Sequence, residues 1–356
     1  MIIMMDMKKL TLFFISLLLL SVTFGQISFN YYADAEGKTQ QELKVALFEI
    51  TSRDYVQRNY SQIWSDFYTT DARPDGKVWD MYSACVFTFG VDQDNGTLGN
   101  KECDWYNREH SVPLSWFGGA IYPMYSDLFH TYPTDKYVNA ERANFPYGET
   151  NTPSRIYSNG SKKGNGSPAL GYTGIIFEPI DEYKGDFART YLYMATRYLD
   201  INFTNDFGSV TYTFENATCG LTDYAVNLLL KWHRNDPVSE KERNRNNVVY
   251  DKQNNRNPYI DYPELAEHIW GNLQHLAWYS GVNIKENTLP VSIKITKQYN
   301  GIHIEGVIEN AKIEIFNIMG QNIYAELFND NIISLNHLQR GVYIIKIGNY
   351  VEKIVW

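Results

Sequence analysis

The residues most able to do chemistry lie close together in the chain. Asn107-Arg108-Glu109-His110-Ser111-Val112-Pro113 sets a carboxylate beside an imidazole, and Asn139 adds a carboxamide after Asp127-Leu128-Phe129-His130. Carboxylate and amide oxygens are hard donors, suited to a divalent cation that takes one or two protein ligands and keeps several waters. Histidine, with an ordinary pKa of about 6.5, is largely neutral at physiological pH and can take a proton from water. A Lewis acid beside a general base is what phosphodiester hydrolysis needs at neutral pH. The Glu109-His110 pair alone says little, because such dipeptides are common. No His-Glu-x-x-His arrangement occurs, which disfavours a zinc protease of that type.

The elements around these residues must bring them together. Neighbours in a regular strand face opposite ways, so Glu109 and His110 can share a site only at a strand end or irregularity; Pro113 fits an end to pairing there. Thr134-Asp135 after Pro133 reads as a helix N-cap, predicting a helix through Asn139 to about Asn144, stopped by Phe145-Pro146. Asparagine inside a helix is mildly unfavourable, which is compatible with a functional cost. Arg142 shares the helical face of Asn139, where it could steer a phosphate or pair with a nearby carboxylate such as Asp127. His130 could support a metal site, but a hydrogen-bonded structural role is the better reading. His233 and His268 have no partner at ligand spacing and read as structural.

Farther out, helical spacing covers Leu43 to Ile50, Tyr60 to Tyr68, Gly185 to Asp200, Asp223 to Arg234 and Glu264 to Trp270. Val78 to Tyr82 and Cys85 to Phe89 look like strands, flanked by a turn at Arg73-Pro74-Asp75-Gly76. Gly90 to Asn100 and Asn151 to Gly174 read as loops. From Val291 the chain alternates apolar and polar residues with Asn300-Gly301, Met319-Gly320 and Arg340-Gly341 turns, which predicts a small all-β sandwich.

The whole block from Asn107 through Ser115-Trp116-Phe117-Gly118-Gly119, Asp127 to Asp135, Val138-Asn139 and Arg142 to Gly148 resembles the core signature of the bacterial endonuclease I family, secreted non-specific nucleases with a ββα-metal active site. The likeness runs outward to Asp75-Gly76-Lys77-Val78-Trp79-Asp80-Met81-Tyr82-Ser83, Gly185-Asp186-Phe187-Ala188-Arg189, Trp232-His233-Arg234-Asn235-Asp236 and Asn255-Arg256-Asn257-Pro258, covering roughly residues 29–280. The resemblance implies His110 as general base and Glu109 and Asn139 as ligands of one Mg²⁺, for which Ca²⁺ or Mn²⁺ can substitute. It implies DNA and RNA as substrates and 5′-phosphate ends as products. The tail, at Ile313-Glu314-Ile315-Phe316-Asn317-Ile318-Met319-Gly320-Gln321, Ile333 to Leu338 and Arg340-Gly341-Val342-Tyr343, resembles the C-terminal sorting domain of type IX secretion, with a degraded entry at Leu289-Pro290-Val291. That likeness implies the type IX machinery as a partner; a carbohydrate- or protein-binding β-module is the alternative.

Composition adds bounds. The 356 residues carry a net charge of −9, which excludes a uniformly basic nucleic-acid binder and requires any polyanion site to be a local patch. Such a patch is offered by Lys231, Arg234, Lys241, Arg243, Arg245, Lys252 and Arg256, which outnumber the intervening acids. Arg142, Arg189 and Arg256 are the candidate phosphate-contacting residues; a solvated charged face is the alternative. Lys8-Lys9 before the apolar run Leu10 to Val22 reads as a signal peptide, too short to span a bilayer comfortably, with cleavage near Gly25-Gln26; a membrane anchor is the alternative. Three cysteines in an exported chain suggest one disulfide. Three pairings are possible, of which Cys85 with Cys103 is favoured, leaving Cys219 free.

These readings amount to an α+β protein. It comprises a signal peptide at 1–25, a catalytic domain at 26–283 with a ββα-metal finger core surrounded by helices, and a β-sandwich sorting domain at 284–356. The expected activity is that of a secreted or cell-surface Mg²⁺-dependent endonuclease, a monomer without stable membrane insertion. The competing reading is a catalytically inactive nucleic-acid-binding surface protein.

Overall fold

The apolar positions Leu43, Ala46, Leu47 and Ile50 recur at helical spacing because they are the buried stripe of α1 (Gln40–Ser52) in the computed structural model. The chain divides into two units, Met1–Ser280 and Gly281–Trp356. Residues 30–199, 208–213 and 220–280 of the first are described here, with 294–298, 301–305, 312–317, 321–327, 332–336, 338–347 and 350–356 of the second. The signal segment, Cys219 and the expected boundary near 284 lie outside the described residues.

In the first unit α2 (Ile63–Thr70) is followed by the strands β1 (Tyr106–His110) and β2 (Thr131–Asp135), and then by α3 (Lys136–Arg142). Next come three strands, β3 (Thr152–Ile156), β4 (Lys162–Asn165) and β5 (Ile175–Glu178), and the helices α4 (Asp181–Arg197), α5 (Asp223–Asn235) and α6 (Glu240–Gln253). Short helical turns at Pro258–Asp261 and Leu265–Ile269 close the unit. Helix α4 is its axis. From Gly185 to Arg197 every residue is buried, and it packs against α1 and α5. Phe187, Tyr191 and Leu192 join Leu47, Leu229 and Trp232 in one apolar core. Thr222 caps α5 by accepting a hydrogen bond from the Ala225 amide, while Arg234 sits at its carbonyl end, where positive charge is favoured. The mixture of helices with small sheets bears out the α+β expectation.

Several local expectations need correction. Val78 to Tyr82 and Cys85 to Phe89 form no ladder; Val78 makes one bridge to Ala72. The Asp80 carboxylate accepts from the Tyr82 amide and Ser83 hydroxyl, bending the chain where a strand would run straight. The stretch expected to be a loop from Asn151 to Gly174 instead holds β3 and β4, which join β5 in one antiparallel sheet. Strand β3 is an edge strand exposed throughout, with Pro153 in it and Ile156 as its one aliphatic side chain, so apolar alternation could not reveal it. Helix α3 is shorter than expected, ending at Arg142 because Ala143 turns to a φ of 50°. Cys85 and Cys103 are bonded, as favoured from the sequence.

The second unit is all-β, as expected. One sheet holds β6 (Lys294–Gln298), β7 (Gly301–Glu305) and β10 (Ile332–Ser334). The other holds β8 (Lys312–Asn317), β9 (Asn322–Leu327), β11 (Val342–Ile347) and β12 (Tyr350–Val355). The alternating residues Ile302, Ile304, Ile313, Ile315, Ile345 and Ile347 point into one shared core. No helix among the described residues is long and apolar enough to cross a membrane.

Candidate active site

Strands β1 and β2 pair antiparallel, with Glu109 opposite Tyr132 and His110 opposite Thr131. The second strand runs directly into α3, whose first turn is held by Asp135. Its Oδ1 accepts from the amides of Tyr137 at 2.8 Å and Val138 at 3.1 Å, while Oδ2 accepts from the Cys103 amide at 2.8 Å. A carboxylate oxygen of Asp135 also lies within 4.8 Å of both sulfurs, but these are bonded to each other and offer no thiolate to a metal. Thus fixed, α3 lies back across β1. Asn139 Nδ2 donates to Asn107 Oδ1 at 2.8 Å. Arg142 Nη1 donates to Glu109 Oε1 at 3.1 Å and to the His110 carbonyl at 3.2 Å, and Nη2 to the Ser111 carbonyl at 2.6 Å.

Asn107 and Glu109 are two apart in a strand and so share a face. The contacts to Asn139 and Arg142 show that this is the face turned to α3. The carboxylate of Glu109 and the amide of Asn139 therefore come from two elements onto one side of β1. Glu109 is only 3% exposed, and both of its hydrogen bonds fall on Oε1, from Arg142 and from the Tyr82 hydroxyl at 2.8 Å. Tyr82 is itself hydrogen-bonded to Tyr147. Among the described residues, Glu109 Oε2 and Asn139 Oδ1 carry no hydrogen bond. Two unengaged hard oxygens fit a divalent cation of the magnesium class. Burial pushes the Glu109 carboxyl up to about 7, against the opposing pull of Arg142 and Tyr82; a bound cation would draw it down.

The pleat sends Arg108 and His110 to the other side. His110 Nε2 lies 2.9 Å from the Tyr125 carbonyl. A carbonyl can only accept, so Nε2 carries the proton and Nδ1 is the basic nitrogen. Burial, then the neighbouring His130 and Arg108, lower the imidazole to about 3 despite the Tyr125 bond, so it is neutral. It is also enclosed: His110 is 7% exposed, with Tyr60, Tyr125 and His130 against its ring. The strand does end at His110, but the imidazole does not turn onto the Glu109 face. His130 is fully buried with Nε2 at 2.6 Å from the Met124 carbonyl, in keeping with a structural role.

The arginines expected at phosphate are placed elsewhere. Arg189 is buried, with Nε and Nη2 both donating to Glu242 and Nη1 to the Asp236 carbonyl. Arg256 is buried against Asp261, to which Nε and Nη2 both donate. Arg142 is buried in the Glu109 network, so of its two possible roles the structure realises carboxylate pairing, though not with Asp127. In the basic segment, Lys241 pairs with Asp186 and Arg245 with Asp71. A charge count along the chain cannot see acids contributed by distant elements, and a buried guanidinium without one would be strongly destabilising. Residues the sequence reading passed over include Asn107, which strand alternation from Glu109 points to. It also missed Tyr82, Tyr147, Tyr60 and Tyr125, for which spacing gives no signal.

The chain matches the Endonuclease I family over residues 39–264. It matches the secretion system C-terminal sorting domain over residues 289–355. It is similar to an extracellular ribonuclease of Bacillus amyloliquefaciens, 35% identical over 252 residues, spanning 68% of this chain and 78% of the relative. An extracellular ribonuclease of Bacillus subtilis (strain 168) is 34% identical over 252 residues with the same coverage.

Proposed function

Since the chain belongs to the Endonuclease I family and ends in a secretion sorting domain, making it a secreted nuclease, we propose that it is a Mg²⁺-dependent, non-specific endonuclease acting on DNA and RNA. The observation that carries this reading is the pair of unengaged oxygens, Glu109 Oε2 and Asn139 Oδ1, on the α3 side of β1. Glu109 and Asn139 hold the ion, which when bound polarises the attacked phosphate and offsets charge on the leaving 3′ oxygen. Arg142 and Tyr82 anchor Glu109 through its other oxygen, and Asn107 orients the Asn139 amide. His110, its tautomer set by the Tyr125 carbonyl, is the base at Nδ1 in this reading, leaving 5′-phosphate ends; because its ring lies on the side of β1 away from Glu109, it serves the same phosphate only around the end of the strand. RNA as a substrate is supported by the ribonuclease names of both relatives. The sorting domain hands the protein to the type IX machinery, with catalytic and sorting domains at 26–283 and 284–356.

The test is cleavage of plasmid and of RNA with Mg²⁺, with and without EDTA, by the native protein and by His110→Ala. Loss of cleavage in EDTA and in the variant, with folding intact, is expected; full activity in the variant overturns the mechanism. One observation favours the second reading, a nucleic-acid binder without turnover: the imidazole is enclosed rather than open to water. Binding without cleavage by the native protein in Mg²⁺ would establish it.

A further inference from the structure

The face of β1 opposite Glu109 carries a group of near-parallel rings. Tyr60 and Tyr125 stack with centroids 4.1 Å apart at 24°. The His110 ring is tilted only 17° from Tyr60 and 11° from Tyr125. The Arg108 guanidinium lies 3.6 Å from the Tyr60 ring centroid and donates to the Tyr60 carbonyl at 2.7 Å, which holds that ring in place. At the outer end Tyr122 meets Tyr125 edge-on at 5.5 Å. Tyr122 is 42% exposed, as is Ile121 beside it. A rigid set of aromatic faces thus begins at the imidazole and reaches solvent.

Charge argues for what this surface holds. In a chain of net charge −9, Arg142, Arg189, Arg245 and Arg256 are buried on carboxylates and can grip no phosphate. These four guanidiniums therefore add nothing to the hold on a strand, whereas aromatic side chains bind bases by stacking whatever their sequence. In a duplex those base faces are covered by their neighbours, whereas in a single strand they are open.

We propose that Tyr122, backed by Tyr125 and Tyr60, is a stacking platform for an unpaired nucleobase next to the phosphate presented to His110, making single-stranded nucleic acid the preferred substrate. This rests on the nuclease reading of the same site.

The test uses the full native chain in EDTA, so that binding is read without turnover. Fluorescence anisotropy is measured with short labelled single-stranded DNA, single-stranded RNA and a DNA duplex. Adding Tyr122→Ala, or Tyr122→Leu, which keeps apolar bulk without a ring, should weaken single-strand binding about fivefold or more. Tyr122→Phe should retain it, and duplex binding should not move. Unchanged single-strand binding in both ringless variants, or an equal loss on duplex, overturns the platform. Loss on one single-stranded probe alone narrows the platform to that sugar and supports it. If native protein cleaves in Mg²⁺ while Tyr122 variants bind normally, the platform fails and the nuclease reading stands. If Tyr122-dependent binding holds but native protein does not cleave, the nuclease reading alone fails.

Discussion

Arg142 and Glu109 form an ion pair that is buried on both sides, with side chains 1% and 4% exposed and Nη1 3.1 Å from Oε1. Arg142 also holds the carbonyls of His110 and Ser111, so it fastens α3 to the end of β1. Arg142→Ala strands a buried carboxylate and should lower unfolding free energy by about 3–5 kcal/mol in guanidinium titration. Arg142→Lys should recover little, since one ammonium cannot replace the forked contacts. A loss below about 1 kcal/mol for the alanine variant would show that the pair does not secure the helix.

Asn139 should behave in the opposite way. Its side chain is half-buried and makes one hydrogen bond, so Asn139→Ala should change stability by only about 1 kcal/mol. Mg²⁺ affinity, read by calorimetry, should fall at least about tenfold. Undiminished affinity in this variant would remove Asn139 from the ligand set.

Glu109 links ion binding to acidity. Its carboxyl sits at about 7 without a metal, so protons and Mg²⁺ compete for it. Affinity for Mg²⁺ should weaken as pH falls below about 7, and Mg²⁺ should raise the melting temperature of native protein but not of Glu109→Gln. Equal stabilisation of both by Mg²⁺ would place the ion elsewhere.

His233 predicts acid sensitivity of the fold itself. Burial, followed by the nearby Arg189, lowers its pKa to about 4, and its Nε2 donates to the Pro263 carbonyl at 2.9 Å. The native chain holds this ring neutral where the unfolded chain would protonate it below about 6.5. Its contribution is complete above that pH and shrinks as pH falls from about 6.5 toward 4, by up to about 1.4 kcal/mol per pH unit. Denaturation midpoints across this window should show the slope, and His233→Gln should flatten it.

How far the sequence discloses this protein depends on whether a feature is local. The Asp135 cap, the short strand before His110 and the Cys85–Cys103 pair follow from near neighbours, and the β-unit follows from strict alternation. Helix α6 shows the limit. Its capping box at Ser239 and Glu242 is legible, but its buried face is Glu242, Arg245, Asn246, Val249 and Gln253. Apolar periodicity cannot find a face that is buried by hydrogen bonding. The same polar interior makes Arg189 and Arg256 resemble phosphate contacts in the sequence, because their partners Glu242 and Asp261 come from other elements of the fold. The direction of the His110 ring was likewise illegible, since it depends on Tyr60 and Tyr125 arriving from two other segments.

Asp135 divides its two oxygens between the peptide of Cys103 and the opening turn of α3. One side chain thereby ties a sulfur-stapled loop to the helix that presents Asn139. The Cys85–Cys103 bond closes that loop, so the helix presenting Asn139 rests against a cross-link of the kind that persists in oxidising compartments. A single carboxylate thus makes one covalently braced unit of the loop and the helix start.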